Sequence, residues 1–385
     1  MPRLSGPRIR LSQVTSDDLL RRFHVVIPAG GVGTRLWPLS RADAPKFLHD
    51  LTGSGTTLIR STYERLLPLA QHRVMVVTGQ KHSVAVTAQI PELAPDDLVL
   101  EPEPKDSAAA IGLAAAILHA RDPETIMGSF AADQVIHPVA PFQQAVAEAV
   151  ATAAAGKIVT IGIRPSHAST AFGYIRQGER LEVAGAPRAH HVIEFVEKPQ
   201  AAVAAQYLAS GDYLWNAGMF VAPVKLLLDH LQAAQPQLYT GLSQIAAAWD
   251  TEDRQDVLMK VWPELPKTAI DYAVAEPAAA AGDVAVIPGE FTWDDVGDFA
   301  AIARLNPAHA QEGMTVLGER KARVYSEDAT GVVVADTNRV VALIGVENIV
   351  VVDTEDALLV TTTDHAQNVK KAVEALKEKG DNDVL

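Results

Sequence analysis

The chain contains no cysteine in its 385 residues. Disulfides, zinc–thiolate centres, iron–sulfur clusters and cysteine nucleophiles are therefore excluded. An excess of positive charge is also missing: 33 Lys and Arg against 47 Asp and Glu leave a formal charge of −14. General binding to nucleic acid or to an anionic membrane needs a basic surface, so neither is expected. Long apolar runs are absent as well. The Ala-rich stretch from Ser107 to Ala120 falls short of the ~20 residues that a spanning helix requires. Residues 1–23 carry charges throughout and lack an apolar h-region, so secretion is not expected and a cytoplasmic setting is. Gly and Pro, 25 and 23 residues, are too few and too scattered for a collagen-like or low-complexity chain.

What is present is the composition of a packed globular chain, 48% hydrophobic and 21% charged. The length calls for more than one domain. Residues 1–22 read as an extension with a short helix at Ser16–Arg22. Apolar runs at His24–Ile27, Arg73–Thr78, Asp97–Leu100, Thr125–Phe130 and Lys157–Ile163 read as buried strands. Helical patterns lie between them at Thr57–Leu67, Ser107–His119 and Ala140–Ala155, with Ser107 as a candidate N-cap and Gly156 in C-cap position. Strands alternating with helices predict a mainly parallel sheet covered on both faces, with ligands beyond the carboxyl ends of its strands.

Farther on, His191–Val196, Gly218–Ala222 and Val284–Ile287 read as strands, and Val224–Leu231, Gln237–Ala248 and Glu252–Lys260 as helices. From about Asn306, short apolar runs recur at Gly331–Ala335, Val340–Ile344, Ile349–Val352 and Leu358–Thr361, separated by turn residues. That spacing marks a small all-β unit, and a hairpin sheet and a few coils of a β-helix both fit it. Asp364 reads as the N-cap of a last amphipathic helix that ends at Gly380. The boundaries are therefore an extension over 1–22, a main domain over 23–305 and a C-terminal domain over 306–385.

The most informative segment is PAGGVGTRLWPLSRADAPKFL, Pro28 to Leu48. Gly30, Gly31 and Gly33 follow directly on the first strand. Glycine permits positive φ and close backbone approach, and successive free N–H groups form an anion-binding nest. Arg35, Arg41 and Lys46 against Asp43 give 3 − 1 = +2 in this window of an acidic chain. No Gly-Lys-Ser/Thr follows, so it is not a nucleotide P-loop, and Leu36 stands where the dinucleotide fingerprint needs its third glycine. Taken alone, the glycines fit a tight strand-to-loop connection equally well.

The whole string GGVGTRLWPLSRADAPK resembles the signature of the sugar-1-phosphate nucleotidyltransferases, and its LWPLSR and PK parts resemble the mannose-1-phosphate guanylyltransferase branch. Further segments resemble family motifs in the same order. These are Ala131-Ala132-Asp133-Gln134, Phe172-Gly173-Tyr174-Ile175, Val196-Glu197-Lys198-Pro199, Trp215-Asn216-Ala217-Gly218-Met219-Phe220, Ile270-Asp271-Tyr272-Ala273 and Trp293-Asp294-Asp295-Val296-Gly297. Each has a plainer reading. Asp133 fits a turn N-cap, Glu197-Lys198 an exposed pair, Asn216 a polar turn before a core strand and Asp271 a helix cap. Asp298 stays open as an exposed acid beside the last motif.

The resemblance implies an α/β fold: a Rossmann-like nucleotidyltransferase domain with a mainly parallel sheet, plus a β-helix-like C-terminal domain ending in a helix. It implies GTP + mannose 1-phosphate ⇌ GDP-mannose + pyrophosphate. Arg35, Lys46 and Lys198 would be the catalytic cations. Ala29, Gly30, Gly31, Gly33, Thr34, Ser107 and Asp133 would hold the nucleotide, and Gly173, Glu197, Asn216 and Asp271 the sugar. Asp133 and Asp295 would hold Mg²⁺. A homodimer is expected. Two alternatives remain: the same chemistry with another sugar or nucleotide, and a nucleotide-sugar binding protein without turnover.

Overall fold

The computed structural model of the chain describes residues 16–306, 310–311, 313–318 and 323–385. Most of the expected extension, and Pro307 at the expected boundary, lie outside the described residues. The order begins α1 (Ser16–Arg21), β1 (Phe23–Ala29), α2 (Leu58–Ala70), β2 (Val74–Gly79), α3 (Ser83–Gln89), β3 (Leu98–Glu101), α4 (Ser107–Arg121) and β4 (Ile126–Ser129). It continues with β5 (Val135–His137), α5 (Val139–Ala154), β6 (Ile158–Ile163), β7 (Tyr174–Arg180), β8 (His190–Val196), α6 (Ala201–Ser210) and β9 (Tyr213–Pro223). After these come α7 (Val224–Ala234), α8 (Pro236–Ala248), α9 (Arg254–Val261), α10 (Glu276–Ala280), β10 (Val284–Pro288), β11 (Thr292–Asp294) and α11 (Phe299–Leu305). The C-terminal part holds β12 (Ala310–Gln311), β13 (Met314–Leu317), β14 (Arg323–Glu327), β15 (Gly331–Ala335), β16 (Val340–Ile344), β17 (Ile349–Asp353), β18 (Leu358–Thr362) and α12 (Val369–Lys379).

Among the described residues the main sheet has nine strands in the order β3-β2-β1-β4-β9-β6-β10-β8-β7. The first four strands pair in parallel, as do β6 and β10. Val25, Val26 and Ile27 at the centre are fully buried, as continuous apolar strands covered on both faces must be. β9 enters antiparallel between β4 and β6, with a bulge opposite Thr160–Gly162. The sequence shows only its apolar end at Gly218–Ala222; the strand begins at Tyr213 and carries Asn216 within it. A polar turn at Asn216 is thereby ruled out.

α4 is apolar on every side, and Ala108 to Leu118 are all buried. A helix of that kind belongs in a core, and it packs against α7 and α8. Among the described residues no helix is long and apolar enough to cross a membrane. The N-cap of α4 is Asp106, not Ser107: Asp106 takes φ 70 and its carboxylate accepts from Ser107 N. Likewise the last helix is entered through a 3₁₀ turn at Thr363–Asn368 with Asn368 as cap, so the assignment of Asp364 is corrected. Gly380 closes that helix at φ 86, the left-handed cap that glycine tolerates best.

In the C-terminal part β13, β15 and β17 stack in parallel register, and β14 pairs in parallel with β16. Parallel stacking of successive short strands is the arrangement of β-helix coils and excludes a simple hairpin sheet. The inner residues Val332, Val334, Val350 and Val352 share one apolar cluster with Leu36, Trp37, Leu39, Phe299 and Ile302 of the main domain. The C-terminal domain is therefore bonded by burial to the segment that carries the glycine loop.

β4 has its own constraint. A Cβ on Gly128 would lie 2.6 Å from Phe130 Cε2 and 2.7 Å from Phe23 Cε2, and both rings are buried. Overpacking of this kind costs about 1–3 kcal/mol. Gly128→Ala is expected to lower the unfolding free energy by that amount, seen as a lower denaturant midpoint at unchanged m-value; an unshifted midpoint would contradict the close packing.

Candidate active site

The loop leaving β1 turns on Gly31 (φ 83) and Gly33 (φ 71). A Cβ at Gly30 or Gly31 would meet no atom within 4 Å, so this stretch of backbone borders open space. Gly33 is tight: a Cβ there would sit 3.2 Å from Lys46 Cβ. Ala29 ends the strand, and Thr34 and Arg35 begin a 3₁₀ turn. The loop thus presents backbone with little side chain, as an anion nest requires.

Lys46 lies across this loop. Its Nζ is 2.9 Å from Asp133 Oδ2 and donates to the Asp295 carbonyl at 2.6 Å. The two aspartates are brought together by a ribbon that the sequence does not reveal, in which β5 pairs antiparallel with β11 and Asp294 stands opposite Val135. That register puts Asp295 one residue past one strand and Asp133 two residues before the other. Burial raises the Asp295 carboxyl above the usual range; Lys46 opposes the rise, while Asp294 and Asp133 add to it.

The neighbouring acids separate cleanly. Asp294 accepts from Val296 N at 2.8 Å and from Arg304 at 3.3 Å, so it serves the turn. Asp298 is buried rather than exposed and caps α11 by accepting from Ala301 N at 2.9 Å. Asp295 takes no hydrogen bond on its carboxylate from the described residues. Arg35 borders the same spot, since a Cβ on Gly297 would lie 3.3 Å from both Arg35 Nη2 and Asp295 Oδ2. Arg41 does not join it. Its guanidinium pairs with Asp356 of the C-terminal domain, at 2.5 and 2.6 Å, so part of the loop's positive charge is turned away from the crevice.

A second cluster lies alongside. Asn216 Oδ1 accepts from Thr160 Oγ1 at 2.8 Å and from Gly218 N at 3.1 Å, which forces its Nδ2 toward Asp271 Oδ1 at 2.9 Å. Asn216 N donates to the Gly173 carbonyl at 2.8 Å. Gly173 leaves room for the Glu197 carboxylate, which a Cβ at that position would strike. Lys198, at φ 48, pairs with Glu197. The two residues form a pair, as the plainer reading has it, but the Glu197 side chain is 6% exposed while that of Lys198 is 55% exposed. Asp271 is the first residue of a single π-helical turn whose cap is Ile270, so it does not cap the helix. Burial, and next the Glu197 charge, push its carboxyl up to about 6.

Residues not assigned to the site from sequence, together with the expected Ser107, join the two clusters. Gln134 Nε2 donates to the Ala217 carbonyl at 2.9 Å, tying the Asp133 turn to β9. Arg65, buried in α2, donates to the Gln134 carbonyl at 2.7 Å. Thr160 fixes the Asn216 amide. Ser107 Oγ accepts from Ile270 N at 2.9 Å, linking the start of α4 to Asp271. Glu101, at the end of β3, is pushed up to about 7 by burial, and its Oε1 has no partner among the described residues. In sequence, Gln134 is signalled by its adjacency to Asp133 and Ser107 by the family resemblance, while Arg65 and Thr160 carry no signal.

Open glycine backbone, an ammonium held on the Asp133 carboxylate and the Asp295 carbonyl, and a polar strand segment at Asn216, at the ends of a Rossmann-like sheet, are the arrangement of a phosphate-handling transferase crevice. The nucleotidyl transferase family model matches residues 24–312, and a mannose-phosphate isomerase/GMP-like β-helix domain model matches residues 323–376. The chain belongs to the nucleotidyl transferase family and is a nucleotidyltransferase. It is 36% identical over 358 residues to the mannose-1-phosphate guanylyltransferase of Klebsiella pneumoniae, covering 92% of this chain and 74% of that protein. With the Escherichia coli K12 mannose-1-phosphate guanylyltransferase the identity is 34%, over 93% of this chain and 74% of that protein. A solved structure described as mannose-1-phosphate geranyltransferase from Thermus thermophilus superposes with a TM-score of 0.78 and 31% identity, over 92% of this chain and 99% of that one.

Among the described residues no group of three or more His, Cys, Asp or Glu side chains is arranged to hold a metal ion. Two neighbouring aspartates, with no hydrogen bond on the Asp295 carboxylate from the described residues, still fit Mg²⁺, which takes one or two carboxylates and completes its shell with phosphate oxygens and water.

The raised Asp271 carboxyl gives a pH test of this geometry. A group whose folded-state pKa is raised favours folding in its protonated form. Its contribution is therefore complete below the unfolded value near 4 and is lost as pH rises through about 6. Asp271→Asn keeps the acceptor for Asn216 and removes the titration. The variant should gain stability relative to wild type as pH rises from about 4 to beyond about 6 in urea melts; a difference constant with pH would contradict the burial of the charge.

Proposed function

We infer that the chain transfers GMP from GTP to mannose 1-phosphate, giving GDP-mannose and pyrophosphate. The observation that carries this reading is the Lys46 ammonium seated on the Asp133 carboxylate and the Asp295 carbonyl beside the open glycine backbone. An oxygen of the sugar phosphate attacks the α-phosphorus, the bond to the β-phosphate oxygen breaks, and pyrophosphate departs. The nucleophile is already ionised near pH 7, so no general base is needed. Such transfers depend on positioning and charge neutralisation.

Ala29, Gly30, Gly31, Gly33 and Thr34 would cradle the nucleotide phosphates through backbone N–H groups, with Ser107 at the nucleoside. Arg35 and Lys46 would take up charge on the leaving pyrophosphate. Lys198 would orient the sugar phosphate. Glu197, Asn216 and Asp271 would read sugar hydroxyls against Gly173. Asp133 and Asp295 would hold Mg²⁺, which when bound supplies charge neutralisation between the two phosphates.

Purified protein with GTP, mannose 1-phosphate and Mg²⁺ is expected to release pyrophosphate. Lys46→Ala and Asp133→Ala should each lower kcat/KM by on the order of 10²-fold; near-normal rates in both overturn the role assignment. A panel of the four NTPs against several sugar phosphates should peak at the GTP–mannose 1-phosphate pair. A peak elsewhere changes the substrates and leaves the chemistry.

The same reading carries a cytoplasmic location and a homodimer. Supporting the dimer, Tyr325, Val340 and Ile344 on the paired β14 and β16, with Leu358 and Val360 on β18, are large apolar residues more than half exposed. Light scattering at micromolar concentration should give twice the chain mass, and a monomer mass would contradict the dimer.

A further inference from the structure

The apolar contact between the two domains ends in a polar relay at the crevice. Gln367 belongs to the 3₁₀ turn that precedes α12. Its side chain is exposed, but Ala366 and Val369 on either side are buried in the cluster that contains Leu36. The backbone of Gln367 is thereby held against the residue that follows Arg35. Gln367 Oε1 accepts from Arg35 Nη1 at 2.9 Å, and Gln367 Nε2 donates to Asp298 Oδ2. The direction of the amide is fixed by its neighbours. A carboxylate can only accept and a guanidinium can only donate, so the carbonyl must face Arg35. Asp298 is itself immobilised because its other oxygen caps α11 at Ala301 N.

We propose that Gln367 is a positioning residue: it transmits the fixed place of Asp298 to Arg35 and so sets the aim of the guanidinium from the C-terminal domain. The proposal rests on the phosphate role of Arg35 given above. Arg35 needs such a guide because Asp295 stands beside it. An unguided guanidinium can close on that carboxylate and leave the phosphate space. A neutral acceptor on Nη1 competes with this closure without adding a charge. Two other ties hold the same stretch from the same side: Trp37 Nε1 donates to the Val384 carbonyl at 2.6 Å, and Arg41 pairs with Asp356.

The test is a double-mutant cycle on the full chain, with pyrophosphate release as the readout. Gln367→Met keeps the side-chain length and removes both hydrogen bonds. It should lower kcat/KM about 10-fold while leaving the melting temperature near that of wild type, since exposed substitutions change stability little. In the Arg35→Ala background the same change should cost less than about two-fold, because a residue that acts through Arg35 has nothing left to position. Asp298→Asn is the second variant. Its carbonyl can still cap α11, but its amide nitrogen then faces Gln367 and forces the Gln367 amide to turn its donor toward Arg35. It should reproduce the loss seen for Gln367→Met. Additive losses, with Arg35→Ala clearly impaired, overturn the relay and leave the functional reading intact. An unimpaired Arg35→Ala overturns the role of Arg35 and the relay together.

Discussion

One ammonium group organises the crevice. Lys46 Nζ contacts the Asp133 carboxylate and the Asp295 carbonyl, and through them it joins three separate parts of the chain. Its stem packs under Gly33, where a φ of 71 and a Cβ only 3.2 Å from Lys46 Cβ both favour glycine. Asp133 follows the central strand β4, and Asp295 follows the short ribbon strand β11. A pair held among partly buried groups is stronger than a surface pair, and it also makes the loss of either partner more costly. The site therefore depends on the fold at both ends: the parallel sheet delivers Asp133, and the ribbon delivers Asp295.

The acidic character of the chain and its handling of phosphates are compatible because the charges are sorted in space. Of the three cations in the loop window, Lys46 stays at the crevice, Arg35 borders it, and Arg41 is committed to Asp356 across the domain contact. Of the three acids in the Asp294–Asp298 segment, Asp294 and Asp298 are occupied with turn and cap bonds, and Asp295 alone is left to the site. The net charge of −14 is thus unevenly spread, with two of the cations gathered at the glycine loop. Diffuse attraction of polyanions stays unfavourable, while Lys46 and Arg35 stand beside open glycine backbone at one place in the crevice.

The parts of the fold legible in sequence are those whose signal is local. β1, β2, β4 and β6 are continuous apolar runs, and α2 and α5 show helical periodicity, so the expected and observed bounds of each agree to within a few residues. β5 and β11 are not legible, because three-residue strands carry no periodicity and their pairing joins residues far apart in the chain. β9 reads short in sequence because Asn216, a polar residue, breaks its apolar run. Its burial is tolerated only because Thr160, Gly218 and Asp271 satisfy its amide. The cap of α4 lies one residue before the expected one for a related reason: Asp106 takes a positive φ that nothing in a single sequence announces. For the candidate site, motif resemblance supplies the residues, but their division of labour comes from non-local bonds. Asp295 differs from Asp294 and Asp298 only by what each faces.

The C-terminal domain, too, takes its part in the site from non-local burial. From sequence it is a small β unit after the main domain, and its size suggests an appendix. Its inner valines, however, complete the core that Leu36, Trp37 and Leu39 begin, and these residues belong to the stretch that carries the glycine loop. A glycine-rich loop has many backbone conformations to lose, and ordering it costs about 1–2 kcal/mol per residue. The loop cannot offset that with its own side chains where it must stay open to a ligand. Its ordering has to come from the flank, and the flank is buried against the β-helix coils. The domain is thus part of the physical cause of the site, because the open glycine backbone is held in place by apolar contacts that the main domain alone does not provide.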